Sequence, residues 1–174
     1  MRRWSREDWL ALGLDQLGKA GPEGLTVQAL CARAGRTRGS LCHHFDDHDA
    51  LLDGIVEHWA ALHTEALIHA VGPTGDTRHL DALARNLDVD VEVGIRRLSQ
   101  RFPRLKPSVA AVDGQRVAFL TQLHRPRLRE RAEAIAQIEY AAFLGFQQLE
   151  PRPDDGALAA LFEAFDSLVV ASIE

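Results

Sequence analysis

The segment that most constrains this fold is residues 26–45, TVQALCARAGRTRGSLCHHF. Thr26 is a residue type that caps helix N-termini, and it precedes an apolar-periodic run that is interrupted at Gly35. Thr37 then provides a second cap in front of another short helical segment. Two short capped helices joined by a glycine turn are typical of a helix-turn-helix, so we predict one here.

The composition is that of an ordinary globular protein and is compatible with this motif. The chain has 174 residues, of which 46% are hydrophobic and 26% charged, which predicts one or two small domains with a substantial core. Its net charge of -5 argues against a uniformly basic nucleic-acid binder. The first 50 residues are electrically neutral, so the acidic excess lies in the remainder and a local basic face stays possible.

Cysteine usage and the N-terminal sequence indicate a cytoplasmic protein. Cys31 and Cys42 are the only cysteines, too few for a disulfide scaffold or a zinc site of cysteines. The start, MRRWSRED, has no apolar signal segment, and no run approaches 18 apolar residues. We therefore expect a soluble, cytoplasmic protein with no membrane partner.

Helical periodicity extends over most of the chain, which predicts an all-α fold. Ser5 with Asp8 makes a capping box for a first helix of about 15 residues. A helix after residue 47 is expected to continue to Val71, before the break at residues 72–76. The helical pattern then resumes, although the alternation of residues 88–93, DVDVEV, also permits a strand.

The last two helices are apolar nearly all round, which indicates burial on two sides. Between Ala134 and Gln148 the only charge is Glu139. In the final helix we expect a bulky stripe that includes Leu161 to face the core, and a small stripe to face a neighbour. We predict a symmetric dimer with a four-helix bundle, whereas a buried hairpin in a monomer is the alternative. The predicted dimerisation residues are Ala134, Ala141, Gly145, Ala157, Ala160, Ala164, Phe165 and Leu168.

The stretch from Trp9 to Trp59 resembles the DNA-binding domain of the TetR family of transcriptional regulators. The motifs that carry the resemblance are Leu25-Thr26-Val27, Ala34-Gly35, Gly39-Ser40-Leu41, His44-Phe45 and Asp49-Ala50-Leu51-Leu52. Residues 92–97, 112–116 and 141–147 look more loosely like the effector domain of one large TetR subgroup.

This resemblance implies a homodimer in which three N-terminal helices bind an operator in double-stranded DNA. It places the helix-turn-helix domain in residues 1–50 and a helical effector-binding and dimerisation domain in residues 51–174. The expected function is transcriptional repression controlled by a small-molecule effector. No enzymatic motif is present in the sequence, and no cofactor is expected.

A helix that begins at Arg38 would enter the major groove by its N-terminal end, with Arg38 as the best candidate for a base or phosphate contact. Thr26 and Thr37 either touch phosphates or act as caps alone, and an N-terminal arm either follows the DNA or stays solvated. The predicted DNA-binding residues are Arg2, Arg3, Thr26, Arg36, Thr37, Arg38, Gly39, Ser40, Cys42, His43, His44 and His48.

Three of these positions depart from the family pattern. Cys42 stands where the family usually has a tyrosine that touches the phosphate backbone, and His48 stands where it has a lysine. Arg36 replaces a small apolar residue, so we expect its side chain to point outward and add charge to the DNA face. These changes predict weaker or more salt-sensitive binding, with pH dependence if the histidines must be protonated. Loss of DNA binding, leaving a dimeric ligand-binding or protein-interaction module, is the alternative.

The effector site is the least constrained part of the sequence. Charged residues among the apolar ones of residues 76–126 would make a pocket there amphipathic, although surface or interhelical pairs are the favoured explanation for most of them. The candidate pocket residues are Glu92, Arg96, Asp113, Arg116 and His124. A metal site at His44, Asp47 and His48 is disfavoured because the residues straddle a turn, and no metal is expected.

Overall fold

The computed structural model describes residues 3–72, 87–149 and 154–171, and it is 85% helical. The described residues contain no strand, which confirms the all-α prediction. The strand interpretation of residues 88–93 is wrong. The Asp88 side chain accepts hydrogen bonds from the backbone of Asp90 and Val91, and so caps a helix that begins at Val89.

The elements follow the chain in a simple order. The helices are α1 (Arg6–Ala20), α2 (Val27–Ala34), α3 (Arg38–Cys42), α4 (His48–Ala60), α5 (Ala66–Val71), α6 (Val89–Arg101), α7 (Lys106–Leu128), α8 (Ala132–Phe146) and α9 (Asp155–Ala171). Short 3₁₀ turns occupy Pro22–Gly24, Pro103–Leu105 and Arg129–Arg131, and a π-helical segment, Ala61–Glu65, joins α4 to α5.

Caps set the boundaries of the first helices, as the sequence predicts. The Ser5 hydroxyl accepts from the Asp8 backbone N–H, and the Ser5 backbone N–H donates to the Asp8 carboxylate at 2.8 Å, which completes the capping box. The resulting helix has the predicted 15 residues. The helical run from α4 reaches Val71 and ends at Gly72, whose φ of 69° suits glycine. The helix α7 continues for two residues beyond Pro126, so this proline lies in the last turn of the helix.

The described residues divide into two compact units. The first unit comprises residues 3–63 and 88–112, and the second comprises residues 64–72, 87, 113–149 and 154–171. The helix α4 spans residue 50 and belongs to the first unit. The division between functional domains after residue 50 stays a prediction.

In the core of the first unit α6 packs mainly against α1, which also contacts α2 and α4. Trp9, Ile55, Trp59 and Ile95 are among its fully buried side chains. The helix α1 packs closely on α4 and α6 through glycines. A Cβ on Gly13 would lie 2.6 Å from Ile55 Cδ1, and a Cβ on Gly94 would lie 2.8 Å from Leu17 Cγ. This core is therefore a rigid support for the short helices α2 and α3.

The second unit has a core of its own, formed by α5, α7 and α8. Val71, Phe119, Ala136 and Tyr140 are buried in it. A smaller cluster joins the end of α7 to the start of α8, and Phe165 of α9 packs against that cluster. Among the described residues, no helix is long and apolar enough to span a bilayer.

Candidate nucleic-acid interface

The two helices of the predicted motif are capped as the sequence indicates. Thr26 Oγ1 accepts from the backbone N–H of Ala29 at 3.1 Å, and Thr37 Oγ1 accepts from that of Ser40 at 3.4 Å. Between them Gly35 adopts a left-handed conformation, with φ 62° and ψ 37°. Both threonines therefore have a structural role that is independent of any phosphate contact.

The recognition helix α3 presents a clear division between core and surface. Leu41 and Phe45 are 2% and 3% exposed and belong to the core of the first unit. The opposite side is open to solvent. Thr37, Arg38, Gly39, Cys42 and His43 are exposed, and Ser40 and His44 are half-buried. An exposed face of this kind is what a helix needs to enter a major groove.

The arginines of this region differ in how they are engaged. Arg33 of α2 binds the side chains of Asp15 and Gln16 on α1. Hydrogen bonds from Lys19, joined by Arg33, lower the pKa of the Asp15 carboxyl, although its burial opposes them. Arg38 is exposed and makes no hydrogen bond or ion pair with another described residue. Arg38 is therefore the cation of α3 that is available to DNA.

Arg36 differs from the prediction that it points outward. It is half-buried, and its guanidinium carbon lies 5.9 Å from the centre of the Trp4 ring. An arginine over an aromatic face at this distance is a cation–π arrangement. Trp4 in turn stands 4.8 Å from Trp9, so the ring that holds Arg36 is anchored on the core.

Two histidines of the candidate site are engaged by backbone carbonyls. His44 Nε2 lies 3.0 Å from the carbonyl oxygen of Trp4, and His48 Nε2 lies 2.7 Å from that of Leu25. A carbonyl oxygen only accepts, so both imidazoles donate through Nε2–H. These nitrogens are thus used within the domain, and within the described residues no cluster of three potential metal ligands occurs.

The N-terminal arm is partly described. Arg3 Nη2 lies 2.6 Å from His43 Nε2, whereas Arg2 lies outside the described residues. Arg6 stacks over the Phe45 ring at 5.3 Å and approaches Glu57 at 3.7 Å. Residues 3–6 therefore lie against the recognition helix and the helix that follows it.

Both cysteines are free thiols with different surroundings. Cys31 is buried, and its pKa is raised mainly by that burial and further by Cys42. Cys42 is exposed on α3, where the resemblance implies a tyrosine. The thiol is too short to replace the reach of a phenol to a phosphate.

The predicted dimerisation residues fall on exposed faces, with one exception. Ala134, Ala141 and Gly145 of α8 are exposed, together with Ile138. On α9 the exposed residues include Ala157, Ala160, Leu161, Ala164 and Leu168, together with the polar Glu163 and Ser167. Phe165 is half-buried against Leu128 and Ala132 within the second unit.

The final helix corrects one detail of the predicted stripes. Leu161 was expected to face the core, but it is 37% exposed, and Leu168 is 69% exposed. Spacings of three and four residues place Leu161, Ala164 and Leu168 on one side of the helix. The exposed face of α9 is therefore a mixture of small and bulky residues.

The candidate pocket residues belong to separate sets of contacts. Glu92 is fully buried in the first unit and accepts from Trp59 Nε1 at 2.8 Å, with His63 Nδ1 at 3.1 Å. Arg96 is half-buried on the same helix, α6. The contacts of Glu92 were missed in the sequence because Trp59 and His63 lie about 30 residues away.

In the second unit, Asp113 and Arg116 share Tyr140. The Tyr140 hydroxyl donates to Asp113 at 2.7 Å and lies 3.5 Å from Arg116 Nη1, while Arg116 Nε donates to Thr64 at 2.8 Å. His124 instead pairs with Glu139, and both are buried. The isolation of Glu139 in an apolar helix was the sequence signal for such a buried pair.

These features define a class of protein, a helix-turn-helix DNA-binding protein with an all-helical body. Residues 10–55 match the family model of bacterial regulatory proteins of the tetR family. The N-terminal part of the chain therefore carries a helix-turn-helix domain similar to the DNA-binding domain of TetR-family regulators. Neither the curated proteins nor the solved structures yielded a match to the chain. TetR-family proteins are regulators and generally not enzymes, and they are typically dimers.

Proposed function

We propose that this protein is a dimeric transcriptional repressor whose operator binding is controlled by a small molecule bound in the helical region beyond residue 50. The observation that carries the proposal is the capped recognition helix with its exposed Arg38, supported by the matched family model. An exposed arginine near the start of a major-groove helix is suited to bidentate contact with guanine or to a phosphate contact.

The exposed apolar face of α8 and α9 supports dimerisation. Ile138 is 55% exposed and Leu168 is 69% exposed, and small residues surround them. A Cβ on Gly145 would meet no atom within 4 Å, so space remains there for the close approach of another helix. A face of this composition is more stable when a second copy covers it.

The hydrogen bonds of Tyr140 support a route for effector control. This side chain lies on α8, next to the proposed dimer face, and binds Asp113 and Arg116 of α7. An effector that replaced one of these contacts would favour a different placement of α8 on α7. Such control requires that the effector bind the two arrangements with different affinity.

The proposed operator is found by selecting bound duplexes from a random library with the purified protein. The selected duplex is then used in gel shifts with Arg38→Ala. We expect this variant to lose about 1–3 kcal/mol of binding free energy, or roughly 5- to 150-fold in affinity, and to discriminate less at one base position of the site. Arg33→Ala is the matched control, since Arg33 is engaged by Asp15 and Gln16. Equal losses for both variants, or no enriched duplex, would contradict the proposal.

Repression and effector control need separate measurements. A reporter gene placed behind the selected operator should lose expression when the protein is present, and increased expression would indicate an activator instead. A thermal-shift screen of small molecules then identifies binders, and each binder is tested for release of the operator duplex. Binders that stabilise the protein but never change operator affinity would contradict effector control.

A helical dimer that has lost DNA binding is the second candidate. The observation that favours it is the engagement of His48 by the Leu25 carbonyl, together with the short Cys42 side chain on the DNA face. Phosphate contacts supply much of protein–DNA affinity, so their loss at two positions weakens any complex. The same duplex selection, performed at low salt, discriminates between the two candidates.

A further inference from the structure

The N-terminal arm makes contacts with both ends of the recognition helix. Arg36 immediately precedes Thr37, the cap of α3, and His43 is its C-terminal cap residue. In the arm, the Trp4 ring contacts Arg36 at the N-terminal end of α3, and Arg3 contacts His43 at its C-terminal end. At 1.5 Å per residue these ends are separated by only about 10 Å along the axis. Residues 3 and 4 therefore span the length of α3.

Trp4 is the fixed point of this arrangement. Its ring packs on Trp9 at 4.8 Å, its carbonyl accepts from His44, and its side chain is half-buried against the core of the first unit. The Ser5 capping box then fixes the start of α1 directly after it. Position 4 is consequently held by packing, by a hydrogen bond and by the helix that follows.

This anchor places two cations. The Arg36 guanidinium carbon lies 5.9 Å from the centre of the Trp4 ring, a cation–π contact that favours one direction of this side chain. The backbone at residue 4 sets the position of Arg3, whose guanidinium donates to His43 Nε2. Arginine has only donors, so His43 accepts through an unprotonated Nε2 in this contact.

We propose that Trp4 is a positioning residue for operator binding. It holds Arg36 at the start of α3 and Arg3 at its end, so that each guanidinium binds a phosphate on one side of the major groove. These two contacts take over from the phosphate contacts that Cys42 and His48 do not supply. The inference rests on the proposed function, since it concerns how the same recognition helix binds DNA.

The salt dependence of binding tests this role directly. Each phosphate contact contributes about 0.9 to the slope of log K against log salt concentration. Trp4→Ala should therefore lower the slope by about 1.8 for each domain bound, which weakens binding by about 60-fold for each domain at 0.1 M salt relative to 1 M salt. The slope is measured by fluorescence anisotropy on the selected duplex and on a mixed-sequence duplex. Trp4→Phe keeps an aromatic face and should retain most of the slope.

Two controls separate positioning from general destabilisation. Leu12→Ala trims a half-buried side chain of α1 that packs on the same core as Trp4, and should lower stability without changing the slope. In a background of Arg3→Ala and Arg36→Ala, which together should lower the slope by about 1.8, Trp4→Ala should lower it no further.

The outcomes are distinct. A wild-type slope in Trp4→Ala, or an equal decrease on top of the double-arginine variant, would overturn the positioning role while leaving the proposed function intact. Failure of the wild-type protein to bind either duplex would overturn both.

Discussion

Removal of Ile138 from the proposed dimer face should weaken dimerisation without unfolding the protein. Ile138 of α8 is 55% exposed, so its packing within the described residues uses less than half of its surface. Full burial of an isoleucine contributes about 1.5–3 kcal/mol, and the exposed fraction therefore accounts for about 1–2 kcal/mol. In a symmetric dimer the residue occurs twice, so Ile138→Ala should reduce the free energy of association by about 2–4 kcal/mol.

This loss corresponds to an increase in the dimer dissociation constant of about 30- to 1000-fold. Sedimentation velocity over a concentration series measures it, and circular dichroism checks that the variant remains folded. Leu62→Ala is the matched control, because Leu62 is 51% exposed but is a residue of the first unit, in the π-helical segment that follows α4. The dimer face is assigned wrongly if Ile138→Ala keeps the wild-type dissociation constant, or if Leu62→Ala weakens the dimer as much.

Three further outcomes are expected. In the folded protein a thiol reagent should modify exposed Cys42 quickly and buried Cys31 slowly, and operator DNA should protect Cys42. Equal modification rates of Cys42 with and without DNA would place this residue away from the interface. Burial lowers the pKa of His58 below its usual value near 6.5, so the unfolded chain takes up this proton first on acidification. The stability from His58 is complete above about pH 6.5 and is lost as the pH falls below it, and urea titrations at two pH values should show a flatter pH dependence for His58→Gln. Trp59→Phe removes a donor from the buried Glu92 carboxylate and should lower the free energy of unfolding by about 1.5–3 kcal/mol, which the same titrations measure; no loss would mean that the hydrogen bond contributes nothing.

Local features of the fold could be predicted because their causes lie within a few residues. The Ser5 box, the Thr26 and Thr37 caps and the Gly35 turn each depend on atoms at most four or five positions apart. The strand alternative at residues 88–93 also fails for a local reason, since the Asp88 cap favours a helix start.

Individual side-chain roles in the site were harder to predict. Arg36 was expected to point outward because it stands where the family pattern has a small apolar residue, yet its guanidinium lies over the ring of Trp4, 32 residues earlier. His48 was expected only to weaken a phosphate contact, but its imidazole is bound to the Leu25 carbonyl, 23 residues away. Contacts of this separation leave no periodic signature in a single sequence.

The sequence by itself determined the all-α class, the helix-turn-helix and the TetR-type domain, since periodicity, caps and glycine turns act through neighbouring residues. Only the tertiary structure decided which polar groups are engaged. Glu92 and Glu139 appear in the sequence as charges on helices. In the folded protein both are buried: Glu92 accepts a hydrogen bond from Trp59, and Glu139 pairs with His124. The same folding brings Trp4 to Arg36, because side chains distant in the chain meet only when the helices that carry them pack together.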